Sequence, residues 1–177
     1  MSEKKKVLFI CTGNTCRSPM AEGLFRKLVA DNSGYEVLGS AGVSAYPGDK
    51  ISPETAAVLK KKSAAAGVAE FRSRPVDAEM LAMATHVFAM TESHLDMLLQ
   101  AFPDYAEKCN LVCDFVSFNG KVGIDLPDPI GQGPKAYNAV AQVFEHALPA
   151  LVMFMDGELE AELKSKSRSG GGGQAHQ

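Results

Sequence analysis

The strongest constraint on this chain lies in residues 7–19. Val7-Leu8-Phe9-Ile10 is a short unbroken apolar run, of the kind buried on both faces of a parallel sheet. A compact polar loop follows at once, Cys11-Thr12-Gly13-Asn14-Thr15-Cys16-Arg17. Ser18-Pro19 then reads as a helix start, because Ser accepts from free amides and Pro suits the first helical position. Met20, Leu24, Phe25, Leu28 and Val29 keep helical spacing, which gives that helix one face to pack on a sheet, and Asn32-Ser33-Gly34 ends it. A buried strand handed through a tight loop to an amphipathic helix is the opening of a βαβ unit.

The rest of the chain continues the alternation. Tyr35 to Leu38 reads as a second strand, followed by Gly39-Ser40-Ala41-Gly42. Ser52-Pro53 opens a helix expected to run to about Ala66 and stop at Gly67. His86 to Met90 is a third strand, Thr91 caps a helix carrying Leu95, Leu98 and Leu99, and Leu111-Val112-Cys113 is a short fourth strand. Residues 123–134 are loop, and a last helix spans Lys135 to Met155 with Val140, Phe144, Leu148 and Leu151 at helical spacing. This order predicts an α/β three-layer sandwich: a central, mainly four-stranded parallel sheet flanked by helices, with the Cys11–Arg17 loop after the first strand as the place for a ligand. Residues 1–158 form the expected domain, and residues 159–177 a flexible tail, charged and then Ser/Gly-rich, with Gly170 to Gly173 in a row.

Composition narrows the function. With 177 residues, 46% hydrophobic and 22% charged, the chain suits one domain with its own core. A net charge of −3 and the absence of Trp argue against a nucleic-acid partner. No apolar run approaches the roughly 20 residues that span a bilayer, and Val7–Ile10 is too short for a signal-peptide core, so no membrane partner and a cytoplasmic location are expected. In that compartment Cys11, Cys16, Cys109 and Cys113 are reactive or buried thiols rather than a disulfide framework. His86 and His94 read as residues flanking a strand and a helix, Lys60-Lys61-Lys62 as a solvated face, and Met80, Met83 and Met90 as core filler. A zinc site built on Cys109 and Cys113 is not favoured, since the spacings are loose; no metal and no cofactor are expected, and the two residues read as packing.

The chemistry concentrates between Cys11 and Ser18. A thiol reacts as its thiolate, and the loop carries Cys11 to a helix N-terminus, where unpaired amides and the helix dipole favour negative charge. Gly13 permits a tight turn and Asn14 tolerates a left-handed conformation. The amides from Thr12 through Asn14, Thr15, Cys16 and Ser18 can then point inward as an anion cradle, which the planar fork of Arg17 closes. The same donors are expected to lower the Cys11 pKa, and Ser18 to donate to its sulfur. A plain alternative is a small buried Cys and a surface Arg on an ordinary turn, but Cys, Gly, Asn, Arg and Ser-Pro in register favour an oxyanion site.

The stretch from Val7 through Cys11, Arg17 and Ser18-Pro19 to Glu22 resembles the signature of the low-molecular-weight protein tyrosine phosphatase family. Ser40-Ala41-Gly42 and Asp128-Pro129 match it too, and the resemblance covers about residues 6 to 155. It implies a phosphoprotein phosphatase working through a phosphocysteine intermediate. Cys11 would attack phosphorus, Arg17 and the loop amides would hold its oxygens, and Asp128 would serve as acid and then base, with Asp125 a nearby rival. Ser40 would brace the loop through Asn14, and Cys16 would pair reversibly with Cys11 to protect it. Thr15, and Ile130 where tyrosine-directed members carry aromatic residues, resemble the bacterial branch acting on phosphoarginine; phosphotyrosine is the alternative, with Tyr46 supplying the stacking. Arsenate reductase is less favoured because no further cysteine lies between Arg17 and Lys108. A phosphorylated protein is the expected partner, and a monomer or weak dimer the expected state.

Overall fold

The computed structural model describes residues 3–159, so the expected tail lies, from residue 160 on, outside the described residues. Four parallel strands form the sheet: β1 (Lys5–Cys11), β2 (Tyr35–Gly42), β3 (His86–Ala89) and β4 (Cys109–Leu111), in the order β2-β1-β3-β4. Around it lie α1 (Arg17–Leu28), α2 (Pro53–Lys61), α3 (Ala78–Met83), α4 (Glu92–Ala101) and α5 (Pro134–Met155). The expected three-layer sandwich is what forms.

The alternation of side chains along a strand decides which layer each β1 residue meets. Val7, Phe9 and Cys11 join the core shared with Met20 and Phe25 of α1, Leu59 of α2 and Phe144 and Leu148 of α5. Leu8 and Ile10 face the other way, onto Leu81 of α3 and Leu98 of α4. Phe9 is fully buried, its ring 5.5 Å from that of Phe25 and 6.1 Å from that of Phe88. Cys11 is therefore the last residue of a strand with neighbours on both edges and both faces.

Several boundaries differ from the sequence expectation, each for a local reason. α1 starts at Arg17, and Cys16 occupies the capping position without a side-chain bond, so Ser18 is inside the helix and its hydroxyl is free for other work. α2 stops at Lys61 instead of about Ala66: Ser63 takes a left-handed φ of 55°, and Ser63 N–H and Ala64 N–H donate to Lys60 O and Leu59 O, a Schellman closure. β2 continues past Leu38 to Gly42, whereas β4 ends at Leu111, because Asp114 Oδ2 accepts from Leu111 N at 2.9 Å and turns Val112–Phe115 into a short 3-10 helix. Leu28, expected on the packing face from helical spacing, and Met83, expected as core filler, are exposed.

Some elements have no counterpart in the sequence expectation, among them α3 and a hairpin. The six-residue α3 is started by Asp77, whose carboxylate accepts from Met80 N at 2.8 Å. A small antiparallel hairpin joins β5 (Ser117–Phe118) to β6 (Lys121–Val122). Its turn is Asn119-Gly120, with φ of 51° and 78°, the dipeptide that two-residue hairpin turns favour.

Candidate active site

The site forms at the carboxyl end of β1, where doubly wound sheets place their ligands. Cys11 is 3% exposed. Its sulfur lies 2.8 Å from Ser18 Oγ and accepts from Asn14 N–H at 3.3 Å. Asn14, not Gly13, takes the left-handed position, with φ of 59°. Fully buried, Asn14 uses its whole amide: Nδ2 donates to Ser18 Oγ and to Ser40 Oγ, both at 2.9 Å, and Oδ1 accepts from Arg74 N–H at 3.0 Å. These bonds offset the strain of a non-glycine residue at positive φ.

The loop is also held from outside. Val43 N–H and Ser44 N–H donate to Cys11 O and Thr12 O, so the end of β2 lies hard against it. Gly42 allows this approach, since a Cβ there would stand 2.3 Å from Thr12 O. Ser52 N–H donates to Thr15 O at 2.9 Å and Thr55 Oγ1 to Cys16 O at 3.2 Å, which ties the start of α2 to the far side. Ser40 Oγ donates onward to Glu22 Oε1 at 2.8 Å.

Arg17 is buried in α1's first turn, and its Nη1 donates to Leu126 O at 2.8 Å. Its Nη2 lies 3.8 Å from Asp128 Oδ2. The guanidinium thus reaches the loop of residues 123–134, and its charge acts on Cys11. Asp128 keeps a half-exposed side chain, with Oδ1 accepting from Ile130 N–H at 3.1 Å. Asp125 is committed elsewhere: its Oδ1 accepts from Glu92 N–H at 2.8 Å and caps α4. Of the two candidate acids, only Asp128 has an ion-pair contact with Arg17.

One electrostatic expectation is reversed. Burial pushes the Cys11 thiol up from its ordinary value, while the Ser18 and Asn14 hydrogen bonds and the Arg17 charge pull it down by less. The reason is desolvation: a sulfur this deep has lost the water that would solvate its anion. Burial also pushes the Cys113 thiol up, to about 12. Cys113 is buried and Cys109 half-buried, in keeping with packing roles, and all four cysteines are free. Cys16 Sγ contacts Tyr137 OH at 3.4 Å. Among the described residues no three His, Cys, Asp or Glu side chains gather as a metal-binding group, and no helix is long and apolar enough to cross a membrane.

Residues 6–168 match the family model described as low molecular weight phosphotyrosine protein phosphatase. The chain belongs to this family. A protein-arginine-phosphatase of Geobacillus stearothermophilus is 40% identical over 146 residues, covering 82% of this chain and 93% of that protein. The crystal structure of a low molecular weight protein tyrosine phosphatase from T. tengcongensis is 37% identical, with a TM-score of 0.74 over 85% of this chain and 98% of that one. A YwlE arginine phosphatase mutant with a phosphorylated active site serine is 32% identical, with a TM-score of 0.75 over 88% of this chain and 99% of that one.

Within this family fold, sequence reasoning missed several residues at the site. Arg74, half-buried, pins the loop through its backbone N–H and holds Ser40 O and Leu38 O with its guanidinium, at 3.0 and 3.1 Å. His94 was read as a bland flanking residue; it is 4% exposed, and its Nε2 lies 2.6 Å from Thr12 Oγ1. The available signal was positional. The β3–α4 and β1–α1 junctions lie at the carboxyl ends of adjacent parallel strands, so a polar residue in α4's first turn faces the loop.

Proposed function

We propose that the chain is a cysteine-dependent phosphoprotein phosphatase, working through a phosphocysteine intermediate, with phosphoarginine as its preferred substrate class and residues 1–158 as the catalytic unit. The observation that carries the chemistry is a buried Cys11 Sγ bonded by Ser18 and Asn14 and within reach of the charge of Arg17, which in turn pairs with Asp128. The Cys11 thiolate attacks phosphorus in line, so that a sulfur–phosphorus bond forms as the bond to the leaving nitrogen or oxygen breaks. Arg17 and the loop amides hold the three equatorial oxygens as charge builds on them. Asp128 gives its proton to the leaving atom, and its carboxylate then takes one from the water that displaces sulfur and releases phosphate. Asp128's half-exposed position lets it meet both the leaving group and solvent.

Three features support phosphoarginine. The relative named a protein-arginine-phosphatase is 40% identical. Thr15 is half-buried in the loop, with its hydroxyl 3.7 Å from Cys16 Sγ. Ile130, exposed after Asp128-Pro129, offers no aromatic wall to a phenyl ring. The exposed Tyr46 and the tyrosine phosphatase neighbour favour the second reading, phosphotyrosine. Turnover of p-nitrophenyl phosphate, abolished in Cys11→Ser, tests the activity. The ratio of kcat/KM on phosphoarginine and phosphotyrosine peptides, in the wild type and Thr15→Ile, tests the preference. A ratio favouring phosphotyrosine overturns it, and one unmoved by Thr15→Ile means that Thr15 does not set the specificity.

A further inference from the structure

His94 has a hydrogen-bond arrangement that dictates where a neighbouring proton must go. The ring is buried, and its Nε2 is 2.6 Å from Thr12 Oγ1. Its Nδ1 is also buried and, among the described residues, has no hydrogen-bond partner. Two neutral tautomers satisfy the Thr12 contact. With the proton on Nδ1, a buried N–H would point at nothing; with the proton on Nε2, only a lone pair is left unpaired. An orphaned buried donor is the rarer and costlier defect. The ring therefore carries its proton on Nε2 and donates to Thr12. Burial, and then the Arg17 charge, hold the ring's pKa down to about 4, with Asp125 and Asp128 opposing, so the neutral form persists to well below neutral pH.

Once Thr12 Oγ1 accepts from His94, its own hydrogen must turn elsewhere. Thr12 is exposed and next to Cys11, and its partner His94 feels the charges of Arg17, Asp125 and Asp128. We propose that His94 is a positioning residue: by donating from Nε2 to Thr12 Oγ1, it turns the Thr12 hydroxyl proton outward, to donate to the phosphoryl group at the mouth of the pocket. The inference rests on the phosphatase reading and adds one donor to it. It also gives α4 a role in the site, because its first turn holds Thr12 through His94 and the acid-bearing loop through Glu92 N–H and Asp125.

Two measurements on the full chain test this. Long-range 1H–15N spectra of the wild type, from mildly acidic to neutral pH, should show His94 protonated at Nε2 and bare at Nδ1; the opposite tautomer or a charged ring overturns the proposal. Kinetically, Thr12→Val and His94→Phe should each lower kcat/KM about tenfold, the worth of one lost hydrogen bond. The double variant should lose no more than either single one, and His94→Gln, which keeps an N–H donor, should recover most of the rate. No loss in Thr12→Val, or losses that multiply in the double variant, overturns the proposal. If His94→Phe does not fold, the wild-type spectrum and Thr12→Val decide. A wild type without turnover would instead remove the phosphatase reading, and this inference with it.

Discussion

Replacing Ser18 with Ala tests how the sulfur is kept reactive at such depth. Ser18 Oγ is 2.8 Å from Cys11 Sγ, and its hydrogen bond is the foremost influence drawing the thiol pKa down against burial. A hydrogen bond to an ionised group contributes about 1.5–3 kcal/mol, and one pKa unit corresponds to about 1.4 kcal/mol. Ser18→Ala should therefore raise the Cys11 pKa by about one to two units above its already elevated value. The sign follows from the bond: it favours the anion, so its loss favours the thiol. The assay is the rate of inactivation by iodoacetamide as a function of pH, beside kcat/KM for p-nitrophenyl phosphate. Both profiles should move to higher pH, with activity at neutral pH down by about 10- to 100-fold. Ser40→Ala is the control: it removes a partner of Asn14 and Glu22 without touching the sulfur, and should lower Tm while leaving the alkylation pKa in place. An unmoved or acid-shifted profile in Ser18→Ala would refute the reasoning.

Asp128→Asn should slow aryl phosphates with poor leaving groups far more than p-nitrophenyl phosphate; an equal loss across a leaving-group series would argue against a proton donor. Asp125→Asn should act differently, lowering Tm through the weakened α4 cap while leaving the leaving-group dependence intact, as read by thermal melts and the same series. Phe9→Ala should cost about 3–5 kcal/mol in denaturant unfolding, since the ring is fully buried between Phe25 and Phe88. Tyr35→Phe should remove the bond to Asp156 Oδ1 at 2.7 Å and lower stability by about 1 kcal/mol. Asp156 is held below its ordinary pKa by Lys5 and Tyr35, so this contribution is present above the carboxylate's unfolded pKa and fades as pH falls through the folded one. Denaturant midpoints measured across acid pH should converge for the two proteins.

The sheet was legible because its strands are apolar runs between turn signals, and a buried run such as Val7–Ile10 admits few other fates. The ends of elements were less so. Ser63 stops α2 through a left-handed backbone that no propensity marks, and Asp114 ends β4 with a side-chain bond three residues away. At the site, residue types and their spacing single out Cys11 and Arg17, whereas Asp128 stands apart from Asp125 only through the family resemblance, and the structure sets it 3.8 Å from Arg17. For Asn14 the sequence offers tolerance of a turn and, through the family resemblance, a bond to Ser40; the structure adds to that bond the contacts with Ser18 and Arg74. Arg74 and His94 stayed hidden because they lie 60 and 82 positions from the residues they hold. The thiol pKa went wrong for a related reason: donors are countable in a sequence, but the depth of a sulfur is not.

Cys11 and Asp128 have very different anchorage. The sulfur hangs from the end of a strand with every backbone neighbour in place, whereas the carboxylate rides on a half-solvated loop beyond the hairpin. Variation in the distance between the Cys11 sulfur and the Asp128 carboxylate is then expected to come chiefly from the Asp128 side. Slow motions that gate turnover should register in the amides around Pro127 to Gln132 and leave those of β1 silent.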